Sequence, residues 1–143
     1  MDHATERVFR QMLGLFVAKD MDGMADLWAP DGTAAFPFAE AGAPTLLEGR
    51  EAVRDYLVRY PDVYDTTGVS VARVHRTEDP ETIIVELSSE GRAVRTGAAY
   101  RMDYVQVVTV QDGMIAEIRD YWSPVQVARA GGALEELRKG LEA

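Results

Sequence analysis

YVQVVTVQDGMIAEIRDYWSP, residues 104–124, sets an apolar run, an Asp-Gly pair, a second alternating run and a closing proline in succession. That order predicts a β-hairpin turning at Asp112-Gly113. Side chains in a strand repeat every second residue, so Ala116, Ile118, Asp120 and Trp122 share a face. One carboxylate interrupts an otherwise apolar rhythm, which makes Asp120 the first candidate for chemistry.

The Asp-Gly turn admits two registers. A two-residue turn pairs Asp120 with Val105 and buries Asp103 on the same face. A three-residue loop, with Gln111 and Asp112 in a type I turn and Gly113 as a bulge, pairs Asp120 with Tyr104. The longer loop sends Asp103, Glu117 and Arg119 outward. It leaves Met102, Tyr104, Val108, Val110, Ala116, Ile118 and Trp122 inside, with Asp120 the sole charge and Gln106 the sole amide. Because a buried unpaired charge costs roughly several kcal/mol, the three-residue loop is the expected register. In such a setting the neutral carboxyl is favoured, by up to about 3 to 5 pH units when burial is complete. Asp120 is then either a general acid/base, worth roughly 10² to 10⁴ in rate, or a core carboxylate satisfied by Tyr104 and a backbone amide.

Outward from the hairpin, the period-two pattern continues upstream through VSVARVHRT (69–77), TIIVELSSE (82–90) and AAYRMDYVQVVTV (98–110). With MIAEIRDYW these predict four strands in an antiparallel meander. The N-terminal half is helical: residues 5–18 place Val8, Met12, Leu15 and Phe16 at steps of three and four, with Thr5 as cap. A second short helix carries Met24, Leu27 and Trp28, with Trp28 in the core or on a pocket wall. TAAFPFA (33–39) is a short edge strand with Phe36 and Phe38 on one face. LEGREAVRDYLVRYPDVYD, beginning at Leu47, is a third helix bearing Tyr56 and Tyr60 one turn apart and stopped by Pro61. Those tyrosines suit either core packing with hydroxyls at the rim or a ligand wall. VQVARA and ALEELRKGLEA form two closing helices. Helices followed by strands predict an α+β fold, one domain over 1–143, with helices on one face of a curved sheet and a cavity between the layers.

Composition narrows the function further. The chain has 143 residues, no cysteine, two histidines and a net charge of −9. Absence of cysteine excludes disulfides, a thiolate nucleophile and cysteine-ligated metals. His3 and His75 have no metal-ligand spacing around them, so no metal site is expected. An acidic chain without a basic cluster is not expected to bind nucleic acid. No signal peptide or membrane span is expected, which points to a soluble cytoplasmic protein.

LxGREAVRDYL (47–57), VELSSEG (85–91), TGAAYRMDYV (96–105) and QDGMIAEIRDYWSPVQV (111–127) resemble the SnoaL-like branch of the nuclear-transport-factor-like superfamily. That group includes polyketide cyclases, ketosteroid isomerases, limonene epoxide hydrolase and phenazine biosynthesis A/B proteins. The resemblance implies a cone-shaped α+β barrel. In it a strongly curved, mostly antiparallel sheet wraps around the N-terminal helices, encloses an apolar cavity and usually forms a homodimer. IRDYW is similar to the closing strand of limonene epoxide hydrolase, which implies proton transfer by Asp120. Glu86 falls near the second catalytic acid of that enzyme. Its bridging arginine has no counterpart, since Ile84 stands at that position, and Tyr104, Tyr56 or His75 would have to supply another donor.

The expectation is an enzyme without a cofactor, in secondary metabolism, that cyclises, isomerises or opens an epoxide on an apolar oxygenated small molecule. Asp120, Glu86 and Tyr104 are its expected catalytic residues. Trp28, Phe36, Phe38, Tyr56, Tyr60, His75, Met102, Gln106 and Trp122 are its expected substrate wall. The alternative is a ligand-binding or dimeric scaffold domain with no chemistry.

Overall fold

The computed structural model describes residues 3–142. Helix α1 spans Ala4–Val17 and buries Phe9 and Met12, following the predicted apolar stripe. Thr5 does not cap it. His3 holds the cap position without a side-chain bond, while the buried Thr5 hydroxyl donates to the Glu81 carbonyl at 2.9 Å and ties the helix to the sheet. Helix α2, Met21–Ala25, is capped by Asp20, which accepts from the Gly23 amide at 2.9 Å.

The helical pattern expected through Trp28 ends at α2, and Trp28 instead opens strand β1, Trp28–Ala35. A bulge between Trp28 and Thr33 absorbs Pro30, which has no amide hydrogen for the ladder. At Gly32 an added Cβ would lie 2.6 Å from the Ile115 carbonyl oxygen, so only glycine permits this approach of β1 to its neighbour. Residues 46–48, expected to border or start the third helix, form a short strand, β2, on the edge of β1. Gly49, at φ 92°, then turns the chain into α3, Arg50–Leu57, and a 3-10 turn follows over Tyr60–Asp62. Arg54 fastens α3 to α2 through Asp22 and Asp26, at 3.1 and 2.6 Å.

The four expected strands form as β3 Tyr64–Arg76, β4 Thr82–Ala93, β5 Ala99–Gln111 and β6 Met114–Trp122, with β3 starting five residues before the expected Val69, in the stretch read as the end of the third helix. They pair antiparallel in chain order. Helices α4, Pro124–Ala130, and α5, Leu134–Glu142, follow.

The expected closed, strongly curled barrel is not what forms. The sheet is open and six-stranded in the order β2-β1-β6-β5-β4-β3, so β2 and β3 are unjoined edges. It is also mixed, because β1 runs parallel to β6. Closure requires the two edges to pair, and β2 offers only Leu46–Glu48 for that purpose. Helices α1 and α3 pack against the sheet. Phe9, Val53, Ile83, Val85, Val108 and Ile115 make the centre of the core between the layers. None of the helices among the described residues is long and apolar enough to cross a membrane.

Neither hairpin register considered above is realised. The turn has two residues, Asp112 and Gly113, both at positive φ (52° and 76°), and Gln111 faces Met114. The extra residue lies inside β6: Val110 faces Ile115 but Thr109 faces Glu117, which makes Ala116 a bulge rather than an inward position. Beyond it Asp120 faces Gln106, and Tyr104 faces Trp122. One inserted residue anywhere between the strands flips the face, so the charge argument yields the right side of the sheet and the wrong partner.

Candidate functional site

A cavity of about 680 Å³ lies between the inner face of the sheet, α1, α3 and the loop around Glu40 to Pro44. Apolar side chains such as Met12, Phe16, Met24, Val53 and Leu87 form most of its wall. Nine of the twelve expected site residues line it: Trp28, Phe36, Tyr56, Tyr60, Met102, Tyr104, Gln106, Asp120 and Trp122.

Three do not. Val85 and Leu87 are buried inward, so the alternation of β4 turns Glu86 outward, opposite Val105. His75 meets it there, with Nε2 2.6 Å from Glu86 Oε2, on the half-exposed outer face. Phe38 lies past the end of β1, 54% exposed, and packs edge-on against Tyr121 at 5.2 Å. Glu86 and His75 are thus separated from Asp120 by the sheet itself.

Asp120 is half-buried as a residue, but its Oδ1 is shielded from solvent and has no hydrogen-bond partner. The residue lines the cavity wall. Removal from water pushes the carboxyl up to about 7, and the facing Gln106 side chain pulls it back by hydrogen bonding. Gln106 Oε1 and Trp122 Nε1 are likewise shielded and unpartnered. Three unsatisfied polar atoms on one patch of wall is unusual, since each leaves a desolvation cost of about 1 to 3 kcal/mol uncompensated.

Around the carboxyl the aromatic residues form a continuous surface. Phe36 stacks on Tyr56 with ring centroids 4.9 Å apart and tilts against Trp122 at 5.2 Å. Tyr104 shares a 3.1 Å hydrogen bond with Ser89 and donates to Met102 Sδ at 3.3 Å. Burial pushes its phenol up to about 12, against the opposing hydrogen bonds with Ser89 and Tyr60. Tyr60 itself is held well above the ordinary tyrosine range by burial. It contacts Phe16 at 5.4 Å and Tyr64 at 5.2 Å. Trp28 is committed to structure, its indole donating to the Thr33 carbonyl at 3.1 Å.

Ser89 and Tyr64 are cavity residues that sequence inspection passed over. The signal for Ser89 was present: it stands two residues beyond Leu87 on the inward period of VELSSEG. Tyr64 follows Tyr60 by four, but the intervening 3-10 turn, not a helix, brings their rings together. Among the described residues no cluster of three His, Asp or Glu side chains could hold a metal ion.

The profile of the SnoaL-like domain matches residues 9–118. YesE, an uncharacterized protein of Bacillus subtilis, is 34% identical over 123 residues, covering 86% of this chain and 84% of that protein. Phenazine biosynthesis protein PhzA1 of Pseudomonas aeruginosa is 30% identical over 121 residues, covering 79% and 72%. A crystal structure from Bacillus subtilis, provisionally called an isomerase, superposes with a TM-score of 0.88 at 32% identity. It covers 93% of this chain and 97% of that one.

Proposed function

The chain belongs to the SnoaL-like domain family, and from that premise we propose that it is an enzyme of general acid/base chemistry acting on a small apolar, oxygenated metabolite, with Asp120 as the group that moves the proton. One observation carries this: a lone carboxyl on the inner face of the closing strand lines a largely apolar cavity with one oxygen shielded and unpartnered, and burial pushes it up to about 7. At neutral pH both of its protonation states are populated. The carboxylate can take a proton from a substrate carbon or hydroxyl, and the resulting acid can return it to another atom of the same substrate. Cyclisation, epoxide opening and double-bond isomerisation all use this sequence. A cavity of about 680 Å³ accommodates a molecule of two to four fused rings. The kinship with a phenazine biosynthesis protein supports a place in secondary metabolism.

Glu86 has no part in this mechanism, because it points to the other side of the sheet. Its position favours the rival reading, a cavity that binds without reacting, since Asp120 then has no second acid beside it. Turnover of candidate polycyclic ketones and epoxides by Asp120→Asn separates the two. Loss of turnover with retained ligand affinity supports the enzyme, and unchanged turnover refutes it.

The outer face of the sheet, where Phe38 and Val105 are exposed beside the Arg101–Asp103 and Arg119–Glu117 ion pairs, is the surface we assign to pairing of two copies. Sedimentation velocity at micromolar concentration tests it: a dimer is expected, and a monomer removes the assignment.

A further inference from the structure

Negative charge lies both at the rim of the cavity and inside it. Of the charged residues on its lining, Glu40, Asp55 and Arg59 are exposed at the rim, and Asp120 alone is half-buried, with one oxygen shielded. The full charges that act on the lining tyrosines are acids: Asp120 on Tyr56 and Tyr104, and Glu40 on Tyr56 and Tyr64. The chain as a whole carries a net charge of −9, which draws cations towards this opening and repels anions.

Beside Asp120 the wall is aromatic. Trp122 lines the cavity, but its Nε1 is sealed and unpartnered, so what the indole offers the interior is its ring. Phe36 leans on Trp122 at 5.2 Å and stacks on Tyr56 at 4.9 Å, which sets three rings side by side. The faces of such rings are the negative side of their quadrupoles. Asp120 and Trp122 hold successive same-face positions of β6, and positions of that kind lie about 7 Å apart. A positive charge between them is therefore within the ~6 Å range of a cation–π contact and next to the carboxylate. Among the described residues no lysine lines the cavity, and Arg59 stays at the exposed rim, so an anionic group finds no partner next to Asp120.

We propose that the ligands of this cavity are ring compounds carrying a positively charged nitrogen, held between the Asp120 carboxylate and the Phe36–Tyr56–Trp122 cluster. The ring body fills the apolar volume and the nitrogen takes the polar corner. Taking a cation out of water is costly, and a carboxylate beside three ring faces offsets that cost at one spot. The cation in turn favours the ionised carboxylate, the form that accepts a proton. This rests on the cavity being a ligand site and deepens the proposed function by giving the ligand a charge; it does not depend on turnover.

Two probes of equal shape and different charge test it: the N,N,N-trimethyl-2-naphthylammonium ion and 2-tert-butylnaphthalene. A third, 2-naphthoate, has the opposite sign. At pH 8 wild-type protein is expected to bind the ammonium ion roughly two- to thirtyfold tighter than the hydrocarbon, the range of a cation–π contact, and 2-naphthoate weakest of the three. Asp120→Asn should lower the ammonium affinity at least about threefold and leave that of the hydrocarbon within about twofold. Trp122→Leu should lower the ammonium affinity by roughly two- to tenfold. Nuclear Overhauser contacts are expected in wild type between the trimethylammonium protons and the Trp122 ring. They need no variant, so they decide the case if Trp122→Leu disturbs the cavity. A hydrocarbon that binds as tightly as the ammonium ion, a preference for 2-naphthoate, or an ammonium affinity unchanged in Asp120→Asn overturns the proposal and leaves the cavity a ligand site. Failure of all three probes to bind at their solubility limits overturns both. Turnover by Asp120→Asn decides the enzyme reading separately.

Discussion

Asp120 and Gln106 stand directly across the β5–β6 pair from each other, and both line the cavity. The amide is therefore the closest polar control on the carboxyl, and it opposes the upward push of burial. Gln106→Leu removes that control. The Asp120 titration should move upward from its wild-type position near pH 7, by about one to two pH units, the size expected for one hydrogen bond to a charged group. A carboxyl resonance titration of the variant checks this.

The same carboxyl makes stability depend on pH. Its value is about 7 in the folded protein against 3.8 for an ordinary aspartate, so between those values the folded chain holds a proton that the unfolded chain has released. Stability from this group is complete below about pH 4, falls as pH rises to 7, and is level above that. The loss is at most on the order of 4 kcal/mol. Asp120→Asn should accordingly be more stable than wild type in urea at pH 8, by about 2 to 4 kcal/mol, with the gap nearly gone at pH 4.

The outer acid and its histidine should be dispensable for chemistry. Glu86→Gln and His75→Ala change groups on the opposite side of the sheet, and kcat/KM should stay within about twofold of wild type for each. Asp120→Asn should lower kcat by roughly 10² to 10⁴ on the same substrate.

Two glycines in neighbouring strands should respond differently to alanine. At Gly91 a Cβ would lie 2.0 Å from the Asp65 carbonyl oxygen, a backbone atom that cannot withdraw. Gly91→Ala should destabilise by about 3 kcal/mol or more. At Gly68 the nearest atom is the mobile Glu90 Oε1 at 3.3 Å, and Gly68→Ala should cost under about 1 kcal/mol. Thermal melts of the two variants give the contrast.

The long strands were legible because the chain from residue 69 to 122 keeps a period of two, and the inward side of Asp120 was legible because only one face could be kept free of other charges. What the pattern could not locate was the extra residue. A bulge at Ala116 and a longer turn at Gly113 move the same side chains to the same face, and differ only in whether Gln106 or Tyr104 stands opposite. Trp28 defeated the helical pattern because tertiary pairing with Ile115 overrides local spacing at β1. The parallel β1–β6 pair joins residues about 85 apart, which no local periodicity encodes, and it makes the sheet mixed. Glu86 shows the limit of resemblance: falling near a position is not enough in a strand, where one residue exchanges the cavity for solvent, and the burial of Val85 and Leu87 puts Glu86 on the outer side.

The central claim is that Asp120 titrates where it can both give and take a proton. Carbon-detected NMR of the Asp120 side-chain carboxyl, followed from pH 3 to pH 9 and assigned by its absence in Asp120→Asn, measures this directly. A midpoint near 7 is the predicted result. A midpoint near 3.8, the value of an ordinary aspartate, would contradict it.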